Sequence, residues 1–301
     1  MNGGDFMSGI GLVLGGGGAK GVYQIGAWKA LCEFGYDNYI DIYSGSSIGA
    51  INSFLIQTMD WKGAADVWLN NNLAKVFFTD GVDPESIAKI IRMIVSGKKV
   101  QFDSLFTRDG FVDMLDTIGL ENLRGTTLDT YVTVANVTGI PESERVLKTA
   151  TDWYKGRKSG FTQYVHIRKP NAEFIKKILL ATSAIPIIYP PEKIGEQYYV
   201  DGAINDALPL YPLNVRGINA IIAISCDRVN YQALKRKYPY TDILLIQPSR
   251  YLGNLFNGTL NFDNKKLRET YYLGYNDVIK AIRKIDIVLS SRSHILAEHS
   301  I

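Results

Sequence analysis

The sequence is poor in the residues that most often announce a chemistry. Among 301 residues there are two cysteines, Cys32 and Cys226, and no metal-ligand spacing runs between them. That excludes a disulfide scaffold and leaves reduced, buried thiols as the expectation. Neither a metal nor another cofactor is called for. Histidines number three, His166, His294 and His299. His166 sits in an expected strand, and the other two lie in the last eight residues, where chains fray. No apolar run approaches the ~20 residues of a spanning helix. Met1 to Gly9 shows no basic segment followed by an apolar one, so no signal peptide is expected. A cytoplasmic chain, meeting a membrane at most from its surface, is the expectation. Charge of one sign is also lacking: 33 basic against 30 acidic residues leave a net +3, which does not suggest nucleic acid as a partner. There is no internal repeat, low-complexity tract or Pro/Ser-rich linker. One domain over residues 1–301 is expected, with a helical insertion or cap at about 61–107. Nothing in the sequence speaks to homo-oligomerisation.

What the chain does have is alternation. Ile10 to Leu14 is a short apolar run that stops at glycines and reads as a buried strand. Val22 to Leu31 suits a helix ending near Gly35. Tyr39 to Tyr43 is a second strand, and the almost wholly apolar Ile48 to Met59 a buried helix. Strand, tight turn, helix, twice over, predicts a parallel sheet with helices on its faces. Trp61 to Asn70 is amphipathic, and Asp83-Pro84 opens a further helix with an apolar stripe to Val95. Strands are expected again at Leu128 to Val137, Val165 to Ile167, Ala220 to Ser225 and Ile243 to Gln247. A helix is expected at Ala172 to Leu180, and a long closing helix, with a break at Gly274, over Leu267 to Leu289.

Gly45-Ser46-Ser47-Ile48-Gly49 falls between the second strand and its helix. A nucleophile must stand clear at a sharp strand-to-helix turn, and glycines two residues either side relieve that turn. The helix then points its positive end at Ser47, where negative charge would develop. A glycine-bounded turn with an N-cap serine is the plainer account. The placement favours the nucleophile, and the glycine spacing prefers Ser47 to Ser46.

Gly15-Gly16-Gly17-Gly18-Ala19-Lys20-Gly21 follows the first strand. Gly16, Gly18 and Gly21 fit the dinucleotide-binding spacing, with Asp41 at about the distance of a ribose-binding acid. Equally, bare N–H groups here would suit an oxyanion. Against the dinucleotide, Asp41 precedes the apolar part of its strand, and the strand's far end carries the serine. Lys20 opposes the helix dipole, so it either reaches away to solvent or a carboxylate or holds the loop's shape. A serine needs a base, and no histidine is well placed. Asp201-Gly202 follows the apolar run Tyr198 to Val200, which on turn chemistry alone favours a hairpin.

Taken in order, these segments resemble the patatin-like phospholipases. The glycine run 16–21 looks like the family's oxyanion loop, and residues 45–52 look like its nucleophile elbow. Ala181 to Pro186 with Tyr189-Pro190-Pro191, and Asp201-Gly202-Ala203 with Pro209, look like its later motifs. Thr133 to Gly139 and Phe262 to Asp277 are similar to other family segments, so the likeness spans about Ile10 to Ile285. It implies an α/β fold, a three-layer α/β/α sandwich around a mostly parallel sheet. It also implies Ser47 as nucleophile, Asp201 as base, and an oxyanion held by Gly17 and Gly18 with Gly16 or Ala19. Gly45, Gly49, Lys20, Gly21 and Gly202 support the motifs. Ile48 departs from the small residue common there, which narrows the space behind the nucleophile. The implied substrate is a fatty-acyl ester of a phospholipid, lysophospholipid or related lipid at a membrane or micelle surface. A dinucleotide-binding oxidoreductase and a catalytically silent lipid-binding protein are the competing classes. Tyr251 to Phe256 and the helix Pro84 to Val95 are the segments suited to a lipid surface, although core packing accounts for both more simply.

Overall fold

Apolar runs become strands and glycine-rich breaks become turns in the computed structural model, which describes residues 10–70, 89, 93, 96, 109–123, 127–186 and 188–298. The amino-terminal half alternates as expected: β1 (Ile10–Leu14), α1 (Val22–Glu33), β2 (Ile40–Ser46), α2 (Ile48–Thr58) and α3 (Trp61–Leu69). Then come α4 (Asp109–Thr117), β3 (Thr130–Asn136), α5 (Glu142–Tyr154), β4 (Phe161–Ile167) and α6 (Ala172–Thr182). The rest is β5 (Glu192–Ile194), β6 (Gln197–Asp201), α7 (Tyr211–Val215), β7 (Ala220–Ile224), α8 (Tyr231–Lys237), β8 (Asp242–Ile246) and α9 (Asn264–Glu298). Of the expected insertion at 61–107, α3 is described; the helix Pro84 to Val95 lies outside the described residues apart from isolated positions.

The sheet has eight strands in the order β5-β6-β3-β2-β1-β7-β8, with β4 also paired to β3. The run β3-β2-β1-β7-β8 is parallel, and β4, β5 and β6 join antiparallel. Both faces are covered. Leu12, Leu14, Ile222, Ile224, Leu244 and Ile246 pack with the helices α1, α2, α3 and α9. The alternate residues Val13, Ile221, Ala223 and Ile243 pack on the other face with Leu210, Leu213 and Tyr238. Period-two burial on both sides is what a three-layer α/β fold requires.

One edge of β3 positions the site. Along its first half β3 pairs parallel with β2, ending at Ser46 opposite Thr133. Along its second half it pairs antiparallel with β6, ending at Asp201 opposite Val134. Two strands of opposite sense thus finish head to head on consecutive residues of a third. β2 also runs further than expected, to Ser46 instead of Tyr43, because Ser44, Gly45 and Ser46 keep pairing with β3.

The closing helix corrects a second expectation. α9 passes through Gly274 unbroken. A Cβ at Gly274 would stand 2.0 Å from the Tyr23 carbonyl oxygen, and one at Gly26 would stand 1.8 Å from that of Tyr271. The two glycines let α1 and α9 cross backbone against backbone, so Gly274 serves close approach and not a break.

Candidate functional site

Ser47 stands at the turn from β2 into α2 with φ 55° and ψ −128°, the only non-glycine positive φ among the described residues. Such a conformation costs roughly 1–3 kcal/mol and persists only where the surroundings over-determine it. They do so here. A Cβ on Gly45 would lie 2.5 Å from the Ala50 backbone, and one on Gly49 would lie 2.1 Å from the Leu14 carbonyl oxygen. The flanking glycines are therefore demanded by contact. The Ser47 N–H donates to Thr182 Oγ1 at 2.9 Å, and the Thr182 hydroxyl donates onward to the Thr133 carbonyl at 2.5 Å.

Asp201 is brought to Ser47 by the shared edge of β3. The Ser47 hydroxyl donates to Asp201 Oδ2 at 2.6 Å, and Asp201 Oδ1 accepts from the Ala203 N–H at 2.7 Å. Both side chains are 4% exposed. The hairpin expected at Asp201-Gly202 is absent; β6 runs instead into a 3₁₀ turn, Gly202–Ile204. A Cβ on Gly202 would meet the Thr133 carbonyl at 2.0 Å, so that turn must begin with glycine. The carboxyl is pushed up to about 7: burial raises it, and the hydrogen bonds from Ser47 and Ala203 pull back.

The glycine loop covers the same space. The Gly16 N–H is committed to the Ala207 carbonyl at 2.8 Å and so is not free for a ligand, which narrows the expected donor set. The N–H groups of Gly17, Gly18 and Ala19 open a 3₁₀ turn, Gly18–Gly21, have no partner within it and donate to no other backbone carbonyl among the described residues. Gly18 has φ 58°, and a Cβ there would strike the Thr259 carbonyl at 2.3 Å. Gly21 packs against Ile48, whose Cγ1 would lie 2.6 Å from a Cβ there. Lys20 turns from the helix end to Asp227, Nζ to Oδ2 2.5 Å.

Several positioning residues were invisible in the sequence. Gln24 donates to the Gly15 carbonyl at 2.6 Å, and Asn52 donates to Gln24 and to the Gly21 carbonyl while accepting from the Trp68 indole. This buried chain fastens the glycine loop to α2 and α3. Thr182 falls within the family-like segment Ala181 to Pro186, and nothing in the sequence marks it as the acceptor for Ser47. The turn it opens also supplies the Ala184 carbonyl to the Asp201 N–H at 2.9 Å, so one turn grips both members of the pair. Thr182→Val is expected to lower kcat on a soluble ester by about 10–100-fold through misplacement of Ser47, with KM little changed. Thr182→Ser is expected to restore it, and steady-state kinetics of the two variants check this.

Ser47 lies where two spaces meet. One is an open cleft of about 460 Å³ bounded by Gly17, Lys20, Asp201 and Asp227 on its polar side and by Trp153 and Tyr251 at its walls. The other is a narrow apolar slot of about 30 Å³ between Ile48, Ile51, Ile188, Tyr189, Leu260 and Phe262. Among the described residues no three His, Cys, Asp or Glu converge as metal ligands.

The structure leaves the other candidates apart. His166 is in β4, stacked on Tyr131 and paired with Asp129, which also takes Arg216; it is a satisfied structural histidine. The His294 side chain and His299 lie outside the described residues. Asp41 is exposed at the start of β2, the end opposite Ser47.

A serine on a strained strand-to-helix turn, facing a carboxylate and a glycine loop at the end of a covered parallel sheet, defines an α/β fold of the nucleophile-elbow kind. The chain belongs to the patatin-like phospholipase family, whose model matches residues 12–214. Over 46 residues it is 59% identical to the lysophospholipase nte1 of Aspergillus terreus, a match spanning 15% of this chain and 3% of that protein. Its fold is similar to that of VipD from Legionella pneumophila, with TM-score 0.50 and 14% identity over 92% of this chain and 67% of that one. It is similar also to human GIVD cytosolic phospholipase A2, with TM-score 0.51 and 11% identity over 94% of this chain and 60% of that one. Among the described residues no helix is long and apolar enough to cross a membrane.

Proposed function

We propose that the chain hydrolyses fatty-acyl esters of phospholipids, lysophospholipids or related lipids through a Ser47–Asp201 dyad. The observation that carries this reading is the 2.6 Å hydrogen bond from the Ser47 hydroxyl to a buried carboxylate, on a turn strained to hold it. Asp201 takes the Ser47 proton as Oγ bonds to the acyl carbon. The tetrahedral oxyanion is held by the N–H groups of Gly17, Gly18 and Ala19, each well-placed donor contributing about 10²–10³ in rate. The leaving alcohol regains the proton from Asp201, and an acyl-Ser47 ester remains. Water then attacks that ester, gives its proton to Asp201, and releases the fatty acid as Ser47 recovers its own. The apolar slot suits the start of the acyl chain and the cleft suits the alcohol with its headgroup. Membership of the phospholipase family supports the lipid substrate.

A fluorophosphonate probe is expected to label the chain once, at Ser47, as read by peptide mass spectrometry, and to leave Ser47→Ala unlabelled. Labelling elsewhere, or none with retained esterase activity, would sink the assignment. A dinucleotide in the glycine loop is disfavoured, since Asp41 lies at the wrong end of β2 and the Gly16 N–H is taken.

A further inference from the structure

The walls of the cleft end in an unusual rim. On one side α5 closes with Trp153 and Tyr154 and passes into Lys155-Gly156-Arg157-Lys158; Trp153 and Gly156 line the cleft. Tyr154 and every residue from 155 to 158 is exposed, and a Cβ at Gly156 would meet nothing within 4 Å. On the other side Arg250 and Tyr251 are exposed, Tyr251 by 70%, with Asn254 and Leu255 beside them at the cleft. The nearby acids are already engaged. Asp227 holds Lys20, Asp152 takes Lys148 and the Ser159 hydroxyl, Asp206 takes the Tyr164 hydroxyl, and Glu269 stands 3.7 Å from Arg250. Lys155, Arg157 and Lys158 form no ion pair among the described residues.

We infer that this rim docks the mouth of the site onto an anionic lipid bilayer surface. Amphipathic aromatic rings settle at the headgroup level, and cations just outside them meet the negative surface potential. Here Trp153 and Tyr251 line the opening that leads to Ser47 and the exposed Lys155, Arg157 and Lys158 flank Gly156 beside it, so docking aims the nucleophile at the bilayer. The sequence offers Tyr251 to Phe256 as suited to a lipid surface, with core packing the simpler account; Tyr251 itself is exposed, and the end of α5 supplies the other half of the rim. The inference rests on the acyl-hydrolase reading for its purpose but not for its test.

The test uses the full chain carrying Ser47→Ala, which leaves vesicles intact. Sedimentation with vesicles of phosphatidylcholine alone, or of phosphatidylcholine mixed with phosphatidylglycerol, should show binding to the mixed vesicles that weakens with added salt. Lys155→Gln/Arg157→Gln/Lys158→Gln is expected to weaken it by about 100-fold, a factor of roughly five per cation. The same triple change with Ser47 intact should hydrolyse a soluble p-nitrophenyl ester at the parent rate. Brominated lipid should quench tryptophan fluorescence, and Trp153→Phe should remove most of the quenching. Equal binding to both vesicle types, triple-variant binding as tight as the parent's, or quenching that survives Trp153→Phe would each overturn docking by this rim. If the triple variant fails to fold, salt dependence and Trp153 quenching on the otherwise unaltered rim decide alone. Absence of ester hydrolysis by the chain with Ser47 and the rim both intact, alongside salt-sensitive vesicle binding, would instead strike the hydrolase reading and leave the docking standing.

Discussion

Asp201→Asn is expected to lower kcat/KM on a soluble ester by about 10⁴-fold, the scale seen when a base acting as a unit with its nucleophile is lost. The geometry is not the reason. An amide oxygen can accept from the Ala203 N–H as Oδ1 does, and the amide nitrogen can donate to Ser47 Oγ. What disappears is the acceptor for the serine proton. The same change is expected to stabilise the fold. The Asp201 carboxyl rises from 3.8 in the unfolded chain to about 7 in the fold, so the folded state prefers the proton. Below the unfolded value both states are protonated and the site costs nothing. As pH climbs towards the folded value the unfolded chain ionises first, and above it the cost is complete, about 4 kcal/mol at 1.36 kcal/mol per unit. Thermal melts should therefore find Asp201→Asn more stable than the parent near ~pH 8 and level with it near ~pH 3. In the parent, kcat/KM should fall about tenfold per unit below ~7, because only the ionised carboxylate can take a proton. A pH-independent rate, or a variant as active as the parent, would exclude Asp201 as base.

Ser47→Ala and Ser47→Gly are both expected to reduce hydrolysis by about 10⁵-fold or more, as loss of a nucleophile does. They should part in stability. Alanine inherits φ 55° and ψ −128° with its Cβ in place, whereas glycine adopts that region freely. Ser47→Gly should thus be the more stable of the two by roughly 1–3 kcal/mol in denaturant unfolding. Equal stabilities would mean that the turn is not strained. His166→Phe is the useful companion. It removes a partner of Asp129 but touches no part of the dyad, so turnover should survive where stability falls.

The legible parts of the site were those whose chemistry is local. A strand, four glycines and a helix sit together in the chain, as do the pentapeptide and its two flanking elements. Glycines that avoid collisions within a few residues leave a mark within a few residues. Asp201 was different. Taken alone it favoured a hairpin, because its partner lies 154 residues away and the link is the register of β3, which no local pattern carries. The commitment of the Gly16 N–H to Ala207, the Cys226 wall behind Gly17 and the Thr259 carbonyl over Gly18 were hidden for the same reason. Gly274 shows the converse error. A glycine inside a helical run signals a break or a close neighbour, and only the crossing with α1 decides which. The alternation of β1, α1, β2 and α2 was readable because burial on both faces leaves unbroken apolar runs. The antiparallel β5 and β6, short and half-exposed, left a weaker trace.

The head-to-head meeting of β2 and β6 on β3 also bears on the order in which the proposed dyad is assembled. The residues that build the Ser47 turn lie close together in the chain, but β3 must pair with the end of β2 and Thr182 must take the Ser47 N–H before that turn is held. The Asp201 carboxylate arrives with β6, after β3 has been laid down as template and α6 has turned back to grip both ends. Contacts of such sequence separation form late in folding, since the long loop between them must first close. Under the proposed dyad, a chain whose β6 has not yet paired with β3 lacks the carboxylate that takes the serine proton.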